Sequence, residues 1–303
     1  MTAPRKLIVL AISLTLIVIG TWLDYRKRTT DTPFVKLGEV SKVELLIRTK
    51  KVALTKAGTH WQLESFDEKP TVDRRVNENL INHLLDIIKV VNDQTQSPLN
   101  PNDAQEYGMK EPLLAVTLGW EKPTVGSEVV IFGNRNLSGK QIFAYFPKRP
   151  LLAELPVVSV ALLENKQALD VRDRRITTFE PDDVEDLQAS GRCGSFKLSR
   201  DGDRWTTSSG SALEANAAES WLATLLGTQY DGIEDKPSAT PSEDLNPVCN
   251  IALAGRHARK ESIEIFKTRG TLWAKNSILP ALYHLPQGIM SALITPYSKP
   301  AHE

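Results

Sequence analysis

The chain has 303 residues, with 37 basic and 37 acidic side chains. The charge balance gives no global reason to bind nucleic acid. Hydrophobic content of 41% and charged content of 24% exclude wholesale disorder and a polytopic membrane protein, and two cysteines exclude a disulfide-dense scaffold. The length suggests about two domains.

The first feature in chain order is an uncharged run, Leu7 to Leu23, LIVLAISLTLIVIGTWL. As a helix it would span about 25 Å, near the lower limit for a hydrocarbon core of about 30 Å. Arg5 and Lys6 flank one end and Arg26, Lys27 and Arg28 the other, while Trp22 and Tyr25 stand where interfacial aromatics belong. The expectation is a single transmembrane helix that holds the chain to the lipid bilayer. A cleaved signal peptide ending near Val18-Ile19-Gly20 is the alternative. Flanking charge is nearly balanced, so the short N-terminal tail decides the expected orientation: N-terminus in the cytoplasm, inner membrane, body in the periplasm. Residues 1–28 carry a net +4 and the remainder a net −4.

The body reads as an internal duplication. Leu54-Thr55-Lys56-Ala57-Gly58-Thr59-His60-Trp61 aligns without gaps on Leu198-Ser199-Arg200-Asp201-Gly202-Asp203-Arg204-Trp205, at an offset of 144. Both predict strand, tight glycine turn, strand. A helix follows in each half. Val76, Leu80, Ile81, Leu84, Leu85, Ile88 and Val91 recur at helical spacing, with Asp73 or Asn77 available as cap, and Trp221, Leu222, Leu225 and Leu226 form the matching stripe. Strand Pro112–Leu118 then matches Pro247–Leu253 at offset 135, and Val129–Phe132 matches Ile263–Phe266 at offset 134. Gln141–Tyr145 resembles Thr271–Lys275. The expected class is α+β: an N-terminal single transmembrane helix plus two tandem repeated modules, each an antiparallel sheet with one packed helix in the order β-β-α-β-β-β. The expected segments are the tip and anchor, 1–28; the first module, 34–160; a connector, 161–179; the second module, 180–296; and a tail, 297–303.

The connector carries a mixed-charge cluster, Asp170, Arg172, Asp173, Arg174 and Arg175. It is either a site for an acidic group or a salt-bridged strut that sets the angle between modules. Gly133 to Gly139 could cradle an anion beside Arg135 and Lys140, or be a hairpin loop rich in turn formers. Cys193 and Cys249 both fall in the second module, as a bridge or as two buried thiols.

The order of features resembles the bacterial family of unknown function DUF4340. The resemblance rests on the strand-turn-Trp element ending at Trp61, on Tyr107-Gly108-Met109-x-x-Pro112, on Ile131-Phe132-Gly133, on Tyr145, and on Leu169-Asp170-Val171-Arg172-Asp173-Arg174, across roughly residues 40 to 290. The second copy departs from the pattern. Leu245-Asn246-Pro247 lacks Tyr-Gly, and Lys267 stands where the first copy has Gly133. The resemblance implies a membrane-anchored envelope protein linked to components of gliding-motility-type ABC transporters, with no catalytic residue to carry over.

Motifs for enzymatic chemistry are missing from the sequence: no phosphate-binding loop, no H-E-x-x-H, no C-x-x-C and no G-x-S-x-G. No metal and no cofactor is expected. The expected function is a non-enzymatic binding or accessory module for an ABC transporter or other envelope complex. The candidate binding residues are Tyr107, Arg135, Arg172, Asp173 and Arg174. Alternatives are a small-ligand-binding module and an envelope hydrolase built around Tyr107, Asp173 and Arg174.

Overall fold

A computed structural model describes residues 39–94, 96–121, 126–164, 166–202, 204–207, 215–235 and 246–293. The fold departs from the expected class. It is mostly antiparallel sheet, and no helix among the described residues is long and apolar enough to cross a membrane. The Leu7–Leu23 run lies outside the described residues.

The first sheet contains β1 (Val40–Ile47), β2 (Lys50–Ala57), β3 (His60–Phe66), β4 (Lys69–Pro70), β5 (Ser97–Pro98), β6 (Leu114–Trp120), β7 (Ser127–Arg135), β8 (Gln141–Phe146) and β9 (Leu151–Pro156). Their spatial order is β4-β3-β2-β1-β6-β7-β8-β9-β5. The second contains β10 (Val184–Gly191), β11 (Phe196–Asp201), β12 (Arg204–Thr207), β13 (Gly232–Glu234), β14 (Cys249–Gly255), β15 (Lys260–Thr268), β16 (Thr271–Asn276) and β17 (Leu282–Leu285). Its order is β12-β11-β10-β14-β15-β16-β17-β13. Apart from the two-residue β4, the two orders are the same. Each lobe therefore has more strands than the five expected. The additional ones are β1 and β10 at the sheet centres, β9 and β17 near one edge, and short edge pieces that leave little periodic signal.

Local chemistry explains the elements. In β1 the alternation buries Val43, Leu45 and Ile47 and exposes Lys42 and Glu44. Gly58 and Gly202 hold positive φ in the two hairpin turns. Helix α1 (Glu78–Asp93) is capped by Asn77, whose side chain accepts from the Leu80 N–H. Its buried face is Ile81, Leu84, Ile87, Ile88 and Val91, packed in one core with β1, β6 and β7. Helix α2 (Val157–Glu164) leaves β9 toward the connector. Helix α3 (Ala215–Leu226) buries Trp221, Leu222, Leu225 and Leu226 in a second core, and the short α4 (Ile289–Leu293) accepts the Trp221 indole N–H at the Leu293 carbonyl.

The register of the duplication differs from the sequence alignment by one residue. Leu118 pairs with Glu128 and Val116 with Val130 in the first sheet; Leu253 pairs with Glu261 and Ile251 with Ile263 in the second. The equivalent residues in β7 and β15 are thus 133 apart, not 134. Val130 and Phe132 correspond to Ile263 and Ile265, all four buried. A slip of one residue sends every side chain to the opposite face, so the core and not residue likeness sets the match. Gly133 is accordingly matched by Phe266 rather than by Lys267.

This glycine admits a close contact. A 3-10 turn, Pro101–Tyr107, lies over the outer face of the first sheet and ends at Gly108, which has positive φ. A Cβ on Gly133 would stand 2.1 Å from the Tyr107 carbonyl oxygen, and one on Gly108 would stand 2.4 Å from the Asn134 side chain. A bulge between Phe132 and Arg135 bends the strand at this point. Tyr107 meets Phe143 edge-on at 4.8 Å, in a small cluster with Leu99, Met109 and Tyr145. In the second lobe Phe266 occupies the equivalent position beside Trp273 without a bulge.

Cys193 and Cys249 form a disulfide with Cα atoms 5.5 Å apart, closing a separation of 56 residues. It joins the first residue of β14 to the loop after β10. Chain-entropy reasoning assigns a loop of that size about 4 kcal/mol. Replacing both cysteines by serine should lower unfolding free energy by about 2–4 kcal/mol in a urea titration. Gly133→Ala should cost about 1–3 kcal/mol in the same measurement, because the Tyr107 segment must lift away.

Candidate functional site

The connector between the lobes runs as a ribbon held on both sides. On one side the Asn77 N–H donates to the Val171 carbonyl (2.8 Å), and the Asp173 N–H to that of Arg75 (3.3 Å). On the other, the Tyr230 N–H donates to the Arg174 carbonyl (3.0 Å) and the Ile176 N–H to that of Thr228 (3.4 Å). Isolated bridges Val76–Arg172 and Arg175–Gln229 mark the two seams.

At its centre lies Arg172, only 2% exposed. Its Nη2 donates to Asp235 Oδ2 at 2.6 Å, and its Nη1 to the Asp73 carbonyl at 3.3 Å. The guanidinium lies over the Phe66 ring at 4.8 Å. Asp235, just beyond β13, also accepts from the Thr71 hydroxyl and from the backbone N–H groups of Val72 and Asp73. One guanidinium thus binds the second lobe's Asp235 and the first lobe's Asp73 at once. A buried charge is tolerated only with such pairing.

Asp73 makes a second tie. Its carboxylate receives Arg75 from Nε and Nη2, at 3.1 and 3.0 Å, and the hydroxyl of Tyr283 from β17 at 3.0 Å. Burial pushes the Tyr283 and Tyr230 hydroxyls well above the usual tyrosine range, and the Asp73 charge adds to it. Burial works to lower the Arg75 pKa, but bonding to Asp73 and its charge outweigh it, and the value rises. Burial likewise works to raise the Asp235 carboxyl, but the bonds from Arg172 and Thr71 hold it below the usual range.

Above this junction an open groove of about 1020 Å³ runs along the seam. Its walls include Trp61 and Gln62 of β3, the first turn of α1, the connector from Asp170 to Arg175, and Leu279 with Pro280 of the second lobe. Its carboxylates are engaged from within. Asp173 pairs with Arg175 at 2.9 Å and with Arg75 at 4.0 Å, and Glu180 pairs with Arg175. Asp170 pairs with Arg174 at 3.5 Å, and Glu78 holds His60 at 2.9 Å and the Trp61 N–H at 3.3 Å. The outer edge of β3 is closed as well, since the Leu63 N–H donates to the Arg74 carbonyl.

Of the residues singled out from sequence, Arg172, Asp173 and Arg174 converge at this groove. Arg172 is consumed by the lobe junction. Arg174 is partly exposed and also donates to Gln229 at 2.7 Å. Tyr107 and Arg135 lie elsewhere on the first lobe. Tyr107 packs as cover on the sheet, and Arg135 ends β7. The loop beyond Arg135 is tied into a turn by its own side chains, with Asn136 bound to Gln141 and Ser138 bound to Asn136. The key partners Asp73, Asp235 and Tyr283 were not singled out as site residues. Asp235 and Tyr283 stand in no motif, and Asp73 offered only a cap signal. No group of three or more His, Cys, Asp or Glu among the described residues could hold a metal ion.

Comparison with family models matches residues 39–247 to the domain of unknown function DUF4340, more than half of the chain, and the chain belongs to that family. No curated protein and no solved structure matches it.

Arg172→Ala should destabilise the chain by about 3 kcal/mol, since it removes the cation that offsets the Asp235 carboxylate and leaves the Thr71 hydroxyl and two backbone N–H groups as its partners, and Asp235→Ala on that background should add far less than its single effect. Urea titrations of the four proteins check this. The Asp235 carboxyl is depressed in the folded state, so its contribution is complete above its unfolded value of 3.8 and is lost as pH falls below it. Asp235→Asn should therefore flatten the acid limb of stability against pH below about 4.

Proposed function

We propose that this DUF4340 protein is a non-enzymatic, extracytoplasmic binding module whose two lobes hold a groove of fixed shape against a partner protein of a transporter or other envelope complex. The observation that carries the reading is the buried junction beneath the groove. Arg172 binds both lobes at once, so the groove's width is set by folding rather than by a ligand. A preformed surface loses little conformational freedom on association.

The chemistry of the groove supports binding over catalysis. Its carboxylates are engaged in ion pairs, and the neighbouring Asp235 is held ionised, the reverse of what a general acid needs. The groove is open and more polar than apolar, which suits a polypeptide better than an enclosed apolar small molecule. The Cys193–Cys249 bridge fits an oxidising compartment outside the cytoplasm.

A photo-crosslinking residue at Asn79, on the exposed wall of the groove, tests the reading in cells, with Lys42 on the outer face of the first sheet as control. The expected result is capture of one envelope protein from Asn79 and not from Lys42. Capture of nothing, or of the same proteins from both positions, overturns it.

A further inference from the structure

The groove's charge has a direction that its mixed composition conceals. Its acids Asp73, Asp170, Asp173 and Glu180 are each paired with an arginine of the same region, and Glu78 is held by His60 and the Trp61 N–H. Two cations on its walls are left over. Arg74 is exposed and Lys166 half-buried, and no described carboxylate pairs with either. The first turn of α1, Asn77 to Asn79, lines the same space, and its positive end is already met by the Glu78 carboxylate and the Asn77 cap, which leaves Arg74 and Lys166 as the cations facing the groove. The residues lining the groove include six basic and five acidic side chains, Glu78 among them with only a histidine and a backbone N–H for partners, so the lining keeps a surplus of one positive charge, although the body of the chain carries a net −4 beyond residue 28.

Resting on the binding-protein reading, we propose that the groove receives an acidic polypeptide segment, with Arg74 and Lys166 meeting its carboxylates. The volume of about 1020 Å³ stands at the upper end of the roughly 300–1,000 Å³ that encloses a single small ligand. An extended segment of several residues uses that length. A segment with carboxylates spaced along it can meet Arg74 and Lys166 together, neither of which pairs with a described carboxylate.

The test uses the full chain and a fluorescein-labelled, end-capped hexaglutamate, with capped hexaglutamine as the uncharged control, read by fluorescence anisotropy. Hexaglutamate should bind at least about tenfold more tightly than hexaglutamine, and weaken severalfold between about 50 and 300 mM salt. The Arg74→Glu/Lys166→Glu double variant should lose at least about tenfold in affinity, with Arg74→Gln/Lys166→Gln between it and the parent. Circular dichroism of both variants should match the parent, because neither side chain supports the junction. Equal binding of the two peptides, or full binding by the charge-reversed protein, overturns the proposal. Displacement of the peptide by an equal concentration of inorganic phosphate reassigns the site to a small anion and also overturns it. If Asn79 captures a partner while hexaglutamate does not bind, the acidic-segment inference fails and the binding-protein reading stands. Hexaglutamate binding without capture from Asn79 has the opposite meaning.

Discussion

The structure depends on one buried cation. Arg172 could not sit 2% exposed without compensation, and its compensation comes from both lobes. The desolvation cost of a buried guanidinium is offset only while the Asp235 carboxylate and the Asp73 carbonyl stay in place. This makes the junction directional. A greasy contact between lobes could slide, whereas a guanidinium, a carboxylate and a carbonyl have one mutual geometry. Thr71, the backbone of Val72 and Asp73, and Tyr283 extend the hydrogen bonding around the pair, while the buried Arg172 Nε has no partner among the described residues.

The two lobes are versions of one design that have diverged at their outer surfaces. Their strand order agrees, apart from β4, and each carries a glutamate in the first half of its helix that bonds the tryptophan of the return strand. Glu78 holds the Trp61 N–H, and Glu219 holds the Trp205 indole N–H together with Arg200. Each also buries a glutamate at the same place in β7 and β15. Glu128 lies by Arg149, while Glu261 receives the Thr178 N–H and hydroxyl where the connector enters the second lobe. The difference is at Gly133 and Phe266. The first lobe gives up a side chain there so that the Tyr107 segment can close on the sheet. The second keeps an aromatic side chain and is stapled instead by a disulfide.

Local regularities were legible in the sequence. The strand-turn-tryptophan elements, the helical stripes and the recurrence of both rest on neighbours within a turn or a hairpin, where period and glycine placement carry the signal. The connector's charge cluster was also legible as a cluster, with its two meanings open. The mistaken steps came where a contact spans long separations. Likeness of residues placed Phe132 on Phe266, but the shared core places it on Ile265. Strands β1 and β10, eight residues each, went unread because Val40–Ile47 and Val184–Gly191 agree at one position only, and the shorter β9 and β17 went unread with them.

By itself the sequence determined that the body is folded, that it repeats, and that a charged ribbon joins the repeats. Those properties follow from composition and from spacing along the chain. The tertiary structure alone decided which charges are buried and which stay partly exposed. Arg172 and Arg174 are neighbours in the connector and alike in chemistry, yet one is sealed against Asp235, 63 positions away, and the other faces the groove. Burial and pairing are properties of position in three dimensions, and an arginine's role is set by what surrounds it.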